Sequence, residues 1–97
     1  MYETAQILQI LKTRKPDLQK RYPISELALF GSYARGDYHA GSDIDILVDF
    51  SKRIDGFDYI RLAHELEDSL HVKIDLVSRP AIKPGYLFYV EKNLIHV

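Results

Sequence analysis

The spacing of apolar residues changes repeatedly along the chain, and each change marks an element. Between Glu3 and about Lys15, Ile7, Leu8, Ile10 and Leu11 recur at helical spacing and Pro16 closes the pattern, which predicts an amphipathic first helix ending there. After Pro23, Ile24-Ser25-Glu26-Leu27-Ala28-Leu29-Phe30 reads as a short strand running into Gly31. Ser32 to Arg35 is long enough for one or two helical turns, while Gly36-Asp37 and His39-Ala40-Gly41 read as turn and loop. Asp43 to Phe50 forms a second strand, continuous enough in Ile, Leu and Val to be central. Phe57 to Leu70 places Tyr59, Ala63, Leu66 and Leu70 on one face and Arg61, Glu65, Glu67 and Asp68 elsewhere, a second amphipathic helix. Val72 to Val77 alternates as a third strand, and Pro80 to Pro84 is irregular. Tyr86 to Asn93 reads as a short terminal helix, although Tyr-Leu-Phe-Tyr-Val equally suits a strand. The order α-β-α-β-α-β-α predicts a mixed α/β domain with few strands.

Composition narrows what such a domain can do. Its 97 residues, 46% hydrophobic and 28% charged, suit one domain over residues 1–97 with an ordinary core. A net charge of −1 leaves no bulk footprint for nucleic acid, and the basic residues are scattered apart from Lys12, Arg14, Lys15, Lys20 and Arg21, so no direct nucleic-acid binding is expected. Without cysteine there is neither a disulfide nor a thiolate zinc site. His39, His64, His71 and His96 lack the close pairing of a zinc motif and read as surface or capping residues. The start Met-Tyr-Glu-Thr has no signal-peptide character, and no apolar run approaches the ~20 residues of a membrane span. A cytoplasmic protein without membrane attachment is expected.

The chemistry concentrates in Gly31-Ser32-Tyr33-Ala34-Arg35-Gly36 and, after a short spacer, Ser42-Asp43-Ile44-Asp45-Ile46-Leu47-Val48. Gly31 and Ser32 stand where a strand gives way to a short helix, so backbone N–H groups are free to hold phosphate oxygens and glycine permits close approach. Alone, a Gly-Ser pair at a strand end is an ordinary turn. Asp43 and Asp45, two apart on a strand, project to one face roughly 6–7 Å from each other, a separation oxygen ligands span around divalent cations. Asp43 taken alone equally suits a loop or capping role. A mid-strand carboxylate such as Asp45 needs a partner or a metal to offset its desolvation. Asp75 interrupts the third strand and either completes the acidic group or occupies an exposed edge position. Asp49 keeps the same strand parity but is expected to be solvated near the strand end. Arg35 pairs either with phosphate or with a surface acid.

Together, Gly31-Ser32-x-Ala34-Arg35-Gly36, Ser42-Asp43-x-Asp45-x-x-Val48 and Lys73-Ile74-Asp75-Leu76-Val77 resemble the signature of the DNA polymerase β-like nucleotidyltransferase superfamily. The short length, the early helix and the segment from Asp75 to Pro84 narrow the resemblance to the minimal nucleotidyltransferases (MNT), which act as antitoxins to HEPN-domain ribonuclease toxins. The likeness spans roughly Leu27 to Pro84. It implies a small mixed sheet flanked by helices and transfer of a nucleoside monophosphate from a nucleoside triphosphate, ATP by family habit, to a tyrosine of a HEPN partner held in a stable complex. It further implies that Gly31 and Ser32, with Arg35, bind the triphosphate, that Asp43 and Asp45 hold Mg²⁺, and that Asp75 completes a two-metal site and serves as the acceptor's base. After Pro84 the chain departs from the family's longer charged helix, offering Tyr86, Phe88 and Tyr89 and the terminus Leu94-Ile95-His96-Val97 either to a docking surface or to the core. Two other readings compete: a non-catalytic module that masks its toxin, and a nucleotidyltransferase acting on a small molecule or an RNA end.

Overall fold

The computed structural model describes residues 2–97. Helix α1 (Thr4–Arg21) leads into strand β1 (Ile24–Phe30), the single turn α2 (Ser32–Arg35), strand β2 (Ile44–Phe50), helix α3 (Gly56–Leu70) and strand β3 (Ile74–Ser78). A 3-10 turn at Arg79–Ala81, helix α4 (Pro84–Lys92) and the two-residue strand β4 (Ile95–His96) complete the order. The strands form one sheet in the order β3-β2-β1-β4, with β2 and β3 parallel and β1 antiparallel to both β2 and β4.

Strand alternation divides the core between the two faces of the sheet. Leu27, Leu29, Ile44, Ile46 and Val48 pack against Ile7, Leu11 and Leu18 of α1 and Leu62, Leu66 and Leu70 of α3. Ala28, Phe30 and Leu47 point the other way and meet Ile82 and Val90, with Val77, Leu87 and Leu94 beside them. The register of β2 therefore sends Asp45 to the α4 face, between buried Ile44 and Ile46.

The elements depart from the sequence reading in several places, among them β3, which runs Ile74–Ser78 and not Val72–Val77, and α4, which runs Pro84–Lys92 and not Tyr86–Asn93. Helix α1 does not stop at Pro16 but continues to Arg21. Proline removes one helical hydrogen bond and crowds the preceding turn, a cost of about 3 kcal/mol in a helix interior. That cost is offset by Leu18, which is 1% exposed, and by the end of the helix, where Arg21 pairs with Asp17 and Glu65 and the Tyr22 hydroxyl donates to Glu65. Strand β2 begins at Ile44, one residue after Asp43. A fourth strand, which the alternation of so short a segment does not announce, pairs Ile95 with Leu29 and His96 with Ala28. The ambiguous aromatic segment resolves as helix, with Pro84 at its first turn, where proline's fixed φ is already helical.

Candidate active site

Strand β1 ends at Phe30, and Gly31 turns the chain with φ +75° and ψ −155°, a conformation open to glycine and costly to other residues. A second constraint is steric: a Cβ at Gly31 would lie 2.1 Å from Asp45 Oδ2. The Asp45 carboxylate thus rests against the glycine backbone, and the small turn and the acidic strand are fitted to one another. The turn is fastened from behind, where Thr4 Oγ1 donates to the Tyr33 carbonyl at 2.6 Å and the Tyr33 and Tyr38 rings stack at 4.3 Å.

Parallel pairing of β2 with β3 sets Asp45 beside Asp75 in register, and Asp43 stands just before β2. Gly31, Ser32, Arg35, Asp43, Asp45 and Asp75 line one cleft of about 390 Å³, so all six residues singled out in the sequence meet at one place. Asp75 is exposed on the edge strand and still faces this cleft, so both descriptions of it hold together. Asp49 lines a different hollow at the opposite end of β2, where its carboxylate accepts from the Phe50 N–H at 2.9 Å. Arg35 pairs with the surface acid Asp37 at 3.2 Å and also borders the cleft.

Electrostatics single out Asp45. Burial, then the neighbouring Asp75 and Asp43 carboxylates, push its carboxyl up to about 6, against a smaller opposing pull from Arg35. Among the described residues none of these three acids makes a side-chain ion pair or hydrogen bond. Nor do three acidic or histidine side chains close into a ready-made metal cage among them. An open set of unpaired carboxylates suits Mg²⁺, which keeps few protein ligands and shares itself with substrate phosphates. The donor set and the unrelieved repulsion at Asp45 therefore fit a divalent cation that arrives with a nucleotide.

The rest of the lining is less polar and comes largely from α4: Tyr86, Tyr89, Val90 and Asn93, with Phe30 and Val77 at the sheet. These α4 positions follow helical spacing, i, i+3, i+4, i+7, the one signal by which a helix facing the acids could have been read from the sequence. Tyr86, Phe88 and Tyr89 are exposed, not core. The terminus goes the other way, since Leu94, Ile95 and Val97 pack against the two core clusters. Arg79 holds α4 in place through a two-pronged pair to Glu26 of β1 (2.6 and 2.7 Å) and a third contact to Glu91 of α4 (2.6 Å), while His96 Nε2 lies 2.7 Å from the same Glu26.

The sequence profile of the nucleotidyltransferase domain matches residues 6–97. The chain belongs to the nucleotidyltransferase domain family. Within it, the protein is 35% identical over 97 residues to the protein adenylyltransferase MntA of Thermococcus cleftensis, across 100% of this chain and 98% of the relative. Its fold is similar to that of a candidate minimal nucleotidyltransferase at a TM-score of 0.77 and 28% identity, covering 99% of this chain and 97% of that one. It is also similar to a chain from a toxin–antitoxin crystal structure with AMP-PNP, at a TM-score of 0.68 and 26% identity, covering 98% of this chain and 72% of the other. The nucleotidyltransferase core described by these likenesses includes the α4 wall and strand β4.

Proposed function

We propose that this nucleotidyltransferase is a cytoplasmic antitoxin that transfers AMP from ATP to a tyrosine hydroxyl of a partner HEPN-type ribonuclease toxin and so silences it. The observation that carries the reading is the meeting of Gly31, Ser32, Asp43, Asp45 and Asp75 in one cleft. The full-length likeness to a protein adenylyltransferase supports the choice of nucleotide and of a protein acceptor. The likeness to a toxin–antitoxin chain crystallised with AMP-PNP supports the partner class.

In this mechanism the Gly31-Ser32 turn receives the triphosphate, where the absence of a Cβ lets phosphate oxygens approach the backbone, and Arg35 adds positive charge at the cleft edge. Asp43 and Asp45 would hold Mg²⁺, with Asp75 completing the set, and the ion would neutralise charge on the phosphates as pyrophosphate departs. Asp75, on the exposed edge strand, accepts the proton of the incoming hydroxyl. The acceptor oxygen bonds to the α-phosphorus, the bond from that phosphorus to the bridging oxygen breaks, and pyrophosphate carries away the electron pair. Acceptor specificity comes from the partner, whose tyrosine side chain enters a cleft that is open to solvent.

The deciding experiment is intact-mass spectrometry of the co-purified toxin after incubation with this protein, Mg²⁺ and each nucleoside triphosphate in turn. The expected result is one or more added AMP units with ATP, absent with the Asp43→Asn/Asp45→Asn double variant. An unchanged toxin mass with neutralisation intact would overturn transfer and assign the protein to masking by contact.

A further inference from the structure

The chain carries seven tyrosines, and their hydroxyls have different fates. Tyr22 donates to Glu65, and Tyr59 donates to the Leu76 carbonyl at 2.8 Å. Tyr33 is buried and stacked on Tyr38. Tyr86 and Tyr89 differ: they are 61% and 66% exposed, no described residue hydrogen-bonds their hydroxyls, and both line the cleft that holds Asp43, Asp45 and Asp75.

Their placement follows from how α4 is hung. Val90 is buried against Phe30 and Leu47, which turns the flanking stripe toward the cleft. Asn93 lies two residues before Ile95, which pairs with Leu29, so this end of α4 is held at β1. Tyr86 is two helical turns, about 10 Å, earlier. It therefore stands toward the β3 side, where Asp75 and Val77 form the wall. Lys92 Nζ sits 5.6 Å from the Tyr89 ring centroid, a cation beside a phenol that would develop negative charge as it attacks.

We infer that the enzyme also adenylylates itself, on Tyr86 or Tyr89 of α4. The inference rests on the adenylyl transfer to tyrosine proposed above and adds a second acceptor to it. The phenol oxygen bonds to the α-phosphorus of ATP, its proton passes to Asp75 or to water, and the α-phosphorus parts from the bridging oxygen as pyrophosphate leaves. The product is a tyrosyl phosphodiester of AMP. An adenylyl group fixed in a cleft of about 390 Å³ fills it and adds an anion beside three carboxylates, so the modified chain no longer admits ATP. Self-modification is then self-limiting and marks chains whose cleft is not presented with a partner's tyrosine.

The test incubates the purified chain alone with Mg²⁺ and ATP, and in parallel with the toxin, and follows intact mass and peptide mapping. The expected result without toxin is one adenylyl unit per chain, mapped to α4, with the modified fraction at least tenfold lower in Tyr86→Phe/Tyr89→Phe and absent in Asp43→Asn/Asp45→Asn. Adenylylation of the toxin in the parallel reaction while the chain incubated without toxin stays unmodified, or modification mapped away from α4, would overturn the inference and leave the proposed function standing. If neither protein gains mass, both fall together.

Discussion

Replacing Asp45 by asparagine should stabilise the metal-free protein while abolishing transfer. Asp45 lies on a buried strand, beside Asp75 and near Asp43, and its carboxyl is pushed from the ordinary 3.8 up to about 6. At 1.36 kcal/mol per unit, that interval bounds the penalty of holding the charged form in the folded state at about 3 kcal/mol. The cleft is open to water, which screens the neighbouring charges, so a gain of about 1–2 kcal/mol is expected. In a chain of this size that raises Tm by roughly 4–8 °C per kcal/mol. The sign fixes the pH dependence: because the folded value lies above the unfolded one, the stability Asp45 contributes is full below about 4 and lost as pH rises through about 6. The difference between wild type and Asp45→Asn should therefore be largest near pH 7.5 and shrink toward pH 4. Thermal melts of both proteins in EDTA across that range make the measurement. A variant less stable than wild type at pH 7.5, or a difference that ignores pH, would refute the account of a strained carboxylate. Adding Mg²⁺ and a non-hydrolysable ATP analogue should reverse the order, because only the wild type is then stabilised by binding.

The other expectations can be checked with the same preparations. Gly31→Ala places a methyl 2.1 Å from Asp45 Oδ2 on a backbone at φ +75°, and should lower transfer at least a hundredfold and cost about 1–3 kcal/mol in chemical denaturation. Ser32→Ala should weaken ATP binding by about 1–3 kcal/mol, read by calorimetry as a lower affinity with an unchanged Tm in the absence of nucleotide. Arg79→Ala leaves Glu26 and Glu91 without their shared cation and should cost about 2 kcal/mol, with a raised KM as α4 loosens over the cleft. Pro16→Ala, at an exposed position inside α1, restores a helical hydrogen bond and should raise stability by about 1–2 kcal/mol in urea titration.

The meeting of the candidate residues in one cleft was more legible in the sequence than the frame around it, for a physical reason. Gly31, Ser32, Asp43, Asp45 and Asp75 are residues whose types answer to local demands: a positive φ, a close approach, charges placed against an apolar strand pattern. Such demands show within a few positions. The passage of α1 through Pro16 is decided by Leu18 and Glu65, and Glu65 is supplied by α3 far along the chain. Strand β4 owes its existence to a partner, β1, whose edge no short-range pattern reveals. The same holds for Arg79, which reads as a surface cation until the fold brings Glu26 and Glu91 to it. The aromatic wall lay between the two: its helical spacing was visible, while the face it presents depends on Val90 finding Phe30 and Leu47.

The strand order carries a consequence for the birth of the enzyme. Because β4 pairs with β1, the fourth strand in chain order closes on the first, and Val97 N–H donates to the Leu27 carbonyl at 2.9 Å. Such pairing between distant segments forms late, since loop-closure entropy must be met before the contact returns any free energy. Strands β1 to β3, with all three acids, can assemble before β4 joins, and Arg79 and Val90 can already seat α4, but its far end stays free until residues 95–97 pair with β1. A chain in which β4 has not yet paired therefore carries the acidic cleft with its α4 wall anchored at one end only.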